Sequence, residues 1–234
     1  MLRLNDLFVC TMVKAFCLSL FVISFSDSQS AVAEDKRVIN RSRQINFKQE
    51  PASRAVRQIA GWIIHSGDNH RMPFVIIDKL DAKVFVFDRS GQLQGAAPVL
   101  VGAARGDSSV PGIGDRKLSS IRPEERTTPA GRFLSSLGRN IQGKEIVWVD
   151  YNSGVSMHPV ITANTRERRL QRLATPTPLD NRISYGCINV PLSFYKNVVR
   201  RAFSGSNGIV YVLPETRTLQ DVFEVYDLKE SDEP

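Results

Sequence analysis

The sequence predicts a mainly β fold with a few helices. Short runs rich in Val, Ile and Phe recur along the chain, turn-forming residues separate them, and apolar residues at helical spacing are confined to a few stretches. No internal repeat, heptad array or low-complexity tract interrupts this pattern, so the chain reads as one domain behind an N-terminal leader.

Residues 1–33 read as a cleaved signal peptide. Arg3 and Lys14 precede an apolar run from Ala15 to Phe25, and Ala31-Val32-Ala33 has the small-x-small pattern of a cleavage site. The run is shorter than the roughly 20 apolar residues that span a bilayer, and Phe16 before Cys17 and Val9 before Cys10 do not suit a lipoprotein signal. Residues 34–51 are polar and charged, a flexible leader. Residues 52–72 are assigned to a packing helix and linker, because Ala55, Val56, Ile59, Trp62 and Ile63 recur at helical spacing.

The domain proper is placed at 73–214. Phe74 to Asp78 and Lys83 to Asp88 read as strands, Asp88-Arg89-Ser90-Gly91 carries turn residues where a hairpin connection needs them, and a third apolar run, Pro98 to Gly102, continues the meander. Thr128-Pro129-Ala130-Gly131 puts Pro and Gly where a type I turn favours them. Ile146 to Val149, Val155 to Val160 and Ile209 to Leu213 complete the strands. Thr165 to Ala174 reads as an Arg-rich helix stopped by Pro176 and Pro178, and Pro191 opens a second one that runs to Phe203. Residues 215–234 form a C-terminal extension whose Leu219, Val222 and Phe223 are spaced to dock as a short helix before the chain turns acidic.

Net charge is +7 for the whole chain and stays +7 without residues 1–33, which take two cations and two anions with them. A basic exported domain suits carboxylate-rich wall peptides, anionic polymers or membrane surfaces; no zinc, helix-turn-helix or aromatic-platform pattern points to nucleic acid. A basic protein with no acidic partner fits the charge equally well. Two of the three cysteines fall in the removed segment, which leaves Cys187 alone in a compartment that favours disulfides. A lone exported thiol is a buried inert side chain, an intermolecular link or a nucleophile, and its flanks must choose.

Those flanks are Ser184-Tyr185-Gly186-Cys187-Ile188-Asn189-Val190. A cysteine after glycine and before a helix can sit on a tight turn whose backbone N–H groups face a carbonyl. Free cysteine is only a few per cent thiolate at neutral pH and needs an activating base. Of three candidate histidines, His65 lies at a helix end and His70 in a polar loop, whereas His158 closes the strand-like Val155-Ser156-Met157.

This order, a hairpin, Thr-Pro-Ala-Gly-Arg-Phe (Thr128 to Phe133), a histidine closing a strand (His158) and Ser-Tyr-Gly-Cys-Ile-Asn-Val (Ser184 to Val190), resembles the L,D-transpeptidase catalytic domain, the YkuD-like family. The resemblance covers roughly Pro73 to Pro214. It implies a β-sandwich fold in which Cys187 is the nucleophile and His158 the base. It also implies oxyanion donors among the N–H groups of Tyr185, Gly186 and Cys187, and motif support from Ser184 and Asn189. The implied reaction cleaves a peptidoglycan tetrapeptide stem after the L-centre of diaminopimelate, through a thioester that an amine resolves. It needs no metal or cofactor, and its partners are stem peptides in the periplasm or cell envelope, with a membrane met only through the signal peptide.

Two departures stand out. The family has histidine where this chain has Tyr185, a phenol of pKa about 10 that cannot serve as a base at neutral pH. The 29-residue step from His158 to Cys187 exceeds the family's usual interval, and the Arg-rich stretch fills the excess as a lid or substrate wall. Arg182 is the expected partner of a stem-peptide carboxylate, with Arg166, Arg168, Arg169 and Arg172 on a solvated helix face. L,D-carboxypeptidase chemistry on the same acyl-enzyme, a non-catalytic peptidoglycan-binding scaffold and a disulfide-linked envelope protein are the other readings.

Overall fold

A computed structural model describes residues 45–223. The signal-peptide segment, residues 34–44 and residues 224–234 lie outside them. Helix α1 (Arg54–Ser66) is followed by strands β1 (Phe74–Asp78), β2 (Lys83–Phe87), β3 (Leu93–Pro98), β4 (Val101–Gly102), β5 (Gly131–Arg139), β6 (Glu145–Asp150) and β7 (Val155–Pro159). Then come helix α2 (Arg169–Ala174), strands β8 (Arg182–Ser184) and β9 (Ile188–Val190), helix α3 (192–203), strand β10 (Gly208–Val212) and helix α4 (Leu219–Phe223).

The chain is mainly β. Eight strands form one sheet in the order β3-β2-β1-β10-β5-β6-β7-β9, and β4 pairs with β8. Alternation along β1, β2 and β10 sends Val75, Ile77, Val84, Val86, Val210 and Val212 to one face and Phe74, Ile76, Phe85, Phe87, Ile209 and Tyr211 to the other. Both faces are covered, which is why these strands read as unbroken apolar runs. The first face shares its core with Val147, Val149, Val155, Met157, Ile188 and Val190, from the far half of the same sheet. Leu100 and Asn189 exchange backbone hydrogen bonds of 2.9 Å, tying the segment after β3 to β9. The two layers of the sandwich are thus two halves of one sheet folded back on itself.

Helix α1 covers the other face with Val56, Ile59, Ala60 and Ile63, all inaccessible to solvent. Val56, Ile59 and Ile63 each contribute about 1.5–3 kcal/mol by leaving water. Ser53 caps the helix: its hydroxyl accepts from Val56 N–H at 3.2 Å and donates to Asp78 at 2.6 Å. Helix α3 adds Tyr195, Val199 and Phe203 to the inner core.

Several expected elements differ. The third strand is β3 at Leu93–Pro98, earlier than the apolar run at 98–102; Gln94, Gly95, Ala96 and Ala97 have little β propensity, and pairing with β2 overrides it. Thr128 to Gly131 forms no turn. Where a type I turn would close on the Thr128 carbonyl, that oxygen accepts from Lys79 Nζ at 2.9 Å, and Ala130 N–H donates to Asp107 O at 3.1 Å. The Arg-rich helix is broken: Thr165–Glu167 is a short 3₁₀ turn, Arg168 has φ 51°, and α2 begins anew at Arg169. Leu173 is buried there, and Leu170 stays exposed.

The leader, expected to be flexible, also packs where it is described, and the C-terminal extension docks as the short helix its apolar spacing suggests. Phe47 is buried, edge-on to Phe85 and Phe87, with the Arg57 guanidinium over its ring at 5.0 Å. Phe223 of α4 joins the same cluster. The described residues pack as one unit.

Candidate active site

The site lies where β7, β9 and the segment 126–130 meet. Strand alternation puts Ser156 and His158 on one face of β7, while Met157 between them enters the core. Parallel pairing sets His158 beside Asn189 and Met157 beside Ile188. Cys187, half-buried at the foot of β9, is thereby brought to both polar side chains.

His158 Nδ1 donates to the carbonyl of Pro159 at 2.8 Å, which leaves Nε2 for Cys187. Burial alone would push the Cys187 thiol up; the hydrogen bond and charge of His158, with the N–H and hydroxyl of Ser156, outweigh it and hold the thiol below its ordinary range. For His158, burial acts downward and the charge of Arg169 adds to it. The hydrogen bond and charge of Cys187 and the Pro159 carbonyl prevail, so the imidazole lies above its ordinary value. Both shifts favour thiolate beside imidazolium, a nucleophile with its proton donor in place. Ser156 Oγ is 3.6 Å from the sulfur, as is the Gly154 carbonyl.

The turn that carries Cys187 is stapled from within. Ser184 Oγ accepts from Gly186 N–H at 3.1 Å and donates to Cys187 O at 2.6 Å, and Asn189 Nδ2 donates to the same carbonyl at 3.2 Å. The Gly186 N–H is therefore committed to Ser184 and is not an oxyanion donor. The N–H groups of Tyr185 and Cys187 meet no acceptor among the described residues. Thr128 ties the turn from outside: its hydroxyl donates to Gly186 O at 2.8 Å and accepts from Gly102 N–H at 2.8 Å. Beneath it, buried Lys79 donates to Thr128 O, Gly106 O at 2.6 Å and Asp107 at 2.8 Å. Sequence reasoning missed Thr128 and Ser156; the i, i+2 spacing of the second from His158 becomes a signal only once that histidine is placed at the sulfur.

Two expected site residues, Tyr185 and Arg182, and one arginine not expected there, Arg169, have particular surroundings. Tyr185 lies under the Arg126 guanidinium, 4.0 Å from the ring centre. Arg182 pairs with Glu215 and donates to the carbonyls of Gly102, Ala104 and Lys79 at 3.3–3.4 Å, so its charge is spent within the fold. Arg169, placed by the sequence on a solvated face, turns inward and donates to Asn189 Oδ1 at 2.7 Å. His65 and His70 are exposed.

No family model and no curated protein matches the chain. Among solved structures it is similar to the avibactam carbamoyl enzyme of Ldtfm at 17% identity, covering 61% of this chain and 49% of that one with a TM-score of 0.37. It is also similar to the catalytic domain of the Enterococcus faecium L,D-transpeptidase, at 16% identity, 61% and 98% coverage and a TM-score of 0.31. For the helical cell shape determining protein Pgp2 of Campylobacter jejuni the values are 14%, 67% and 55%, and 0.41. The chain aligns with about half the length of the Ldtfm and Pgp2 chains.

Proposed function

We propose that the protein is a cysteine acyltransferase of the L,D-transpeptidase type, acting on peptidoglycan stem peptides in the periplasm or cell envelope. The observation that carries this reading is the pairing of Cys187, on a stapled Ser-x-Gly-Cys turn, with a histidine whose second nitrogen is fixed by a backbone carbonyl.

The thiolate of Cys187 attacks the carbonyl carbon at the L-centre of diaminopimelate. A C–S bond forms, and the N–H groups of Tyr185 and Cys187 face the developing oxyanion. The C–N bond to D-alanine breaks as imidazolium His158 gives its proton to the leaving amine. An acceptor amine then attacks the thioester and passes a proton to His158; the new amide forms, the C–S bond breaks and the thiolate returns. Water in place of the amine makes the protein an L,D-carboxypeptidase on the same intermediate.

The test is incubation with a disaccharide tetrapeptide, read by intact-protein and product mass beside Cys187→Ala and His158→Ala. A Cys187 adduct accompanied by free D-alanine supports the reading, and a cross-linked or tripeptide product separates amine from water as acceptor. Folded protein that binds the stem yet forms no adduct would make a peptidoglycan-binding scaffold the better description.

A further inference from the structure

Arg169 is the cation that the fold aims at the reactive pair without using it up. The break at Arg168 makes this possible: a residue other than glycine at φ 51° costs about 1–2 kcal/mol, and it restarts the helix so that the next side chain points to β9. The Arg169 side chain is only 11% exposed. Its Nε donates to Glu167 and one Nη1 proton to Asn189 Oδ1, while Nη2 meets no acceptor among the described residues. Asn189 in turn holds the Cys187 carbonyl, so the guanidinium is one side chain away from the nucleophile's backbone.

A planar, half-satisfied guanidinium in a sheltered position suits one ligand chemistry above others, a carboxylate bound through two parallel N–H···O bonds. Glu167 holds that place with the side chain 27% exposed, on a short 3₁₀ turn that ends at Arg168. Arg182 does not compete, because Glu215 and three backbone carbonyls occupy it.

We infer that Arg169 is the carboxylate-binding residue of this site, seating a free carboxylate of the peptide ligand beside Cys187 when Glu167 releases the guanidinium. In identifying the ligand as a peptide this rests on the proposed function; in identifying its anionic group it rests on the guanidinium alone. Glu167 is then a built-in stand-in for the ligand and sets how much of the arginine's charge an incoming anion feels.

The test compares alkylation of Cys187 in the full chain by iodoacetate and by neutral iodoacetamide. Their rate ratio cancels the thiol's own ionisation and reports the cation beside it. Relative to the unaltered chain, Arg169→Gln is expected to lower the ratio about fivefold, Arg169→Lys to restore part of it, and Glu167→Gln to raise it. A ratio unmoved by Arg169→Gln and by Glu167→Gln overturns the inference and leaves Arg169 as a support for Asn189. The stem peptide with a free C-terminal carboxylate, set against its C-terminal amide, extends the test to turnover: KM for the acid should rise in Arg169→Gln more than kcat falls. If the ratio shifts as expected but no stem peptide acylates Cys187, the carboxylate site stands and the transpeptidase reading fails.

Discussion

Gly186 has no room for a side chain: a Cβ there would lie 2.7 Å from the Thr127 carbonyl oxygen, and its φ of 130° is one that only glycine adopts freely. Gly186→Ala should therefore displace the nucleophile turn and cut Cys187 alkylation by iodoacetamide more than tenfold, with circular dichroism showing the sheet retained. Tyr185 acts through its ring face, since Arg126 stacks on it. Tyr185→Phe is expected to leave stem-peptide turnover nearly unchanged, whereas Tyr185→Ala forfeits a cation–π contact of about 0.5–2 kcal/mol and frees Arg126. The pH profile follows from the paired shifts. Cys187 lies below its ordinary value and His158 above, so acylation should rise as Cys187 ionises and fall as His158 loses its proton. His158→Ala should move the thiol's alkylation midpoint upward. Cys187 and His158 stand out in the sequence because a lone thiol needs a base; Ser156 does not, because one serine among strand residues has no chemical signature until its neighbour two positions on is known to face the sulfur.

At the level of elements, apolar spacing made α1 legible to within a few residues, and the cap that the spacing did not reveal, Ser53, is its test. Ser53→Ala removes the bond to Val56 N–H and the partner of Asp78, and should lower stability by about 1–2 kcal/mol in urea unfolding. Other elements were hidden for physical reasons. Thr-Pro-Ala-Gly has turn chemistry, but its carbonyl is claimed by Lys79 and its hydroxyl by Gly102 and Gly186, partners 49, 26 and 58 residues away. The break at Arg168 carries neither Gly nor Pro. Gly102 shows how tightly this layer closes: a Cβ there would sit 2.3 Å from Arg126 O. Thr128→Val keeps the shape and strands Gly102 N–H and Gly186 C=O, at about 1–3 kcal/mol for each buried group, and Thr128→Ser should recover most of the loss in thermal unfolding.

Across the whole molecule, charges from distant parts of the chain gather into a buried knot. Lys79 and Asp107 have side chains 0% and 2% exposed, with Glu215 at 1% and Arg182 beside it. Burial would push the Asp107 carboxyl up, but the Lys79 and Thr216 hydrogen bonds and the N–H groups of 215 and 216 hold it below the usual carboxylate range. A folded value below the unfolded one, about 3.9, means the contribution is complete above that pH and is lost as pH falls through the folded value. Urea midpoints should thus fall between about pH 5 and 2, and less steeply in Asp107→Asn. No periodicity announces such a knot, because its members come from four separate segments.

The knot and the staples together order events in time. In an unfolded chain Cys187 is an ordinary thiol, since the groups that lower its pKa lie about 30 residues away, His158 at 29 and Ser156 at 31, and the turn that carries it is held by Thr128 and Lys79 through contacts of 58 and 49 residues. Long loops must close before any of these contacts forms, and such closures come late in folding. In refolding followed by circular dichroism and by pulsed alkylation, the fast-reacting thiol should appear after the sheet signal, so the nascent chain carries its warhead unarmed until the architecture around it is finished.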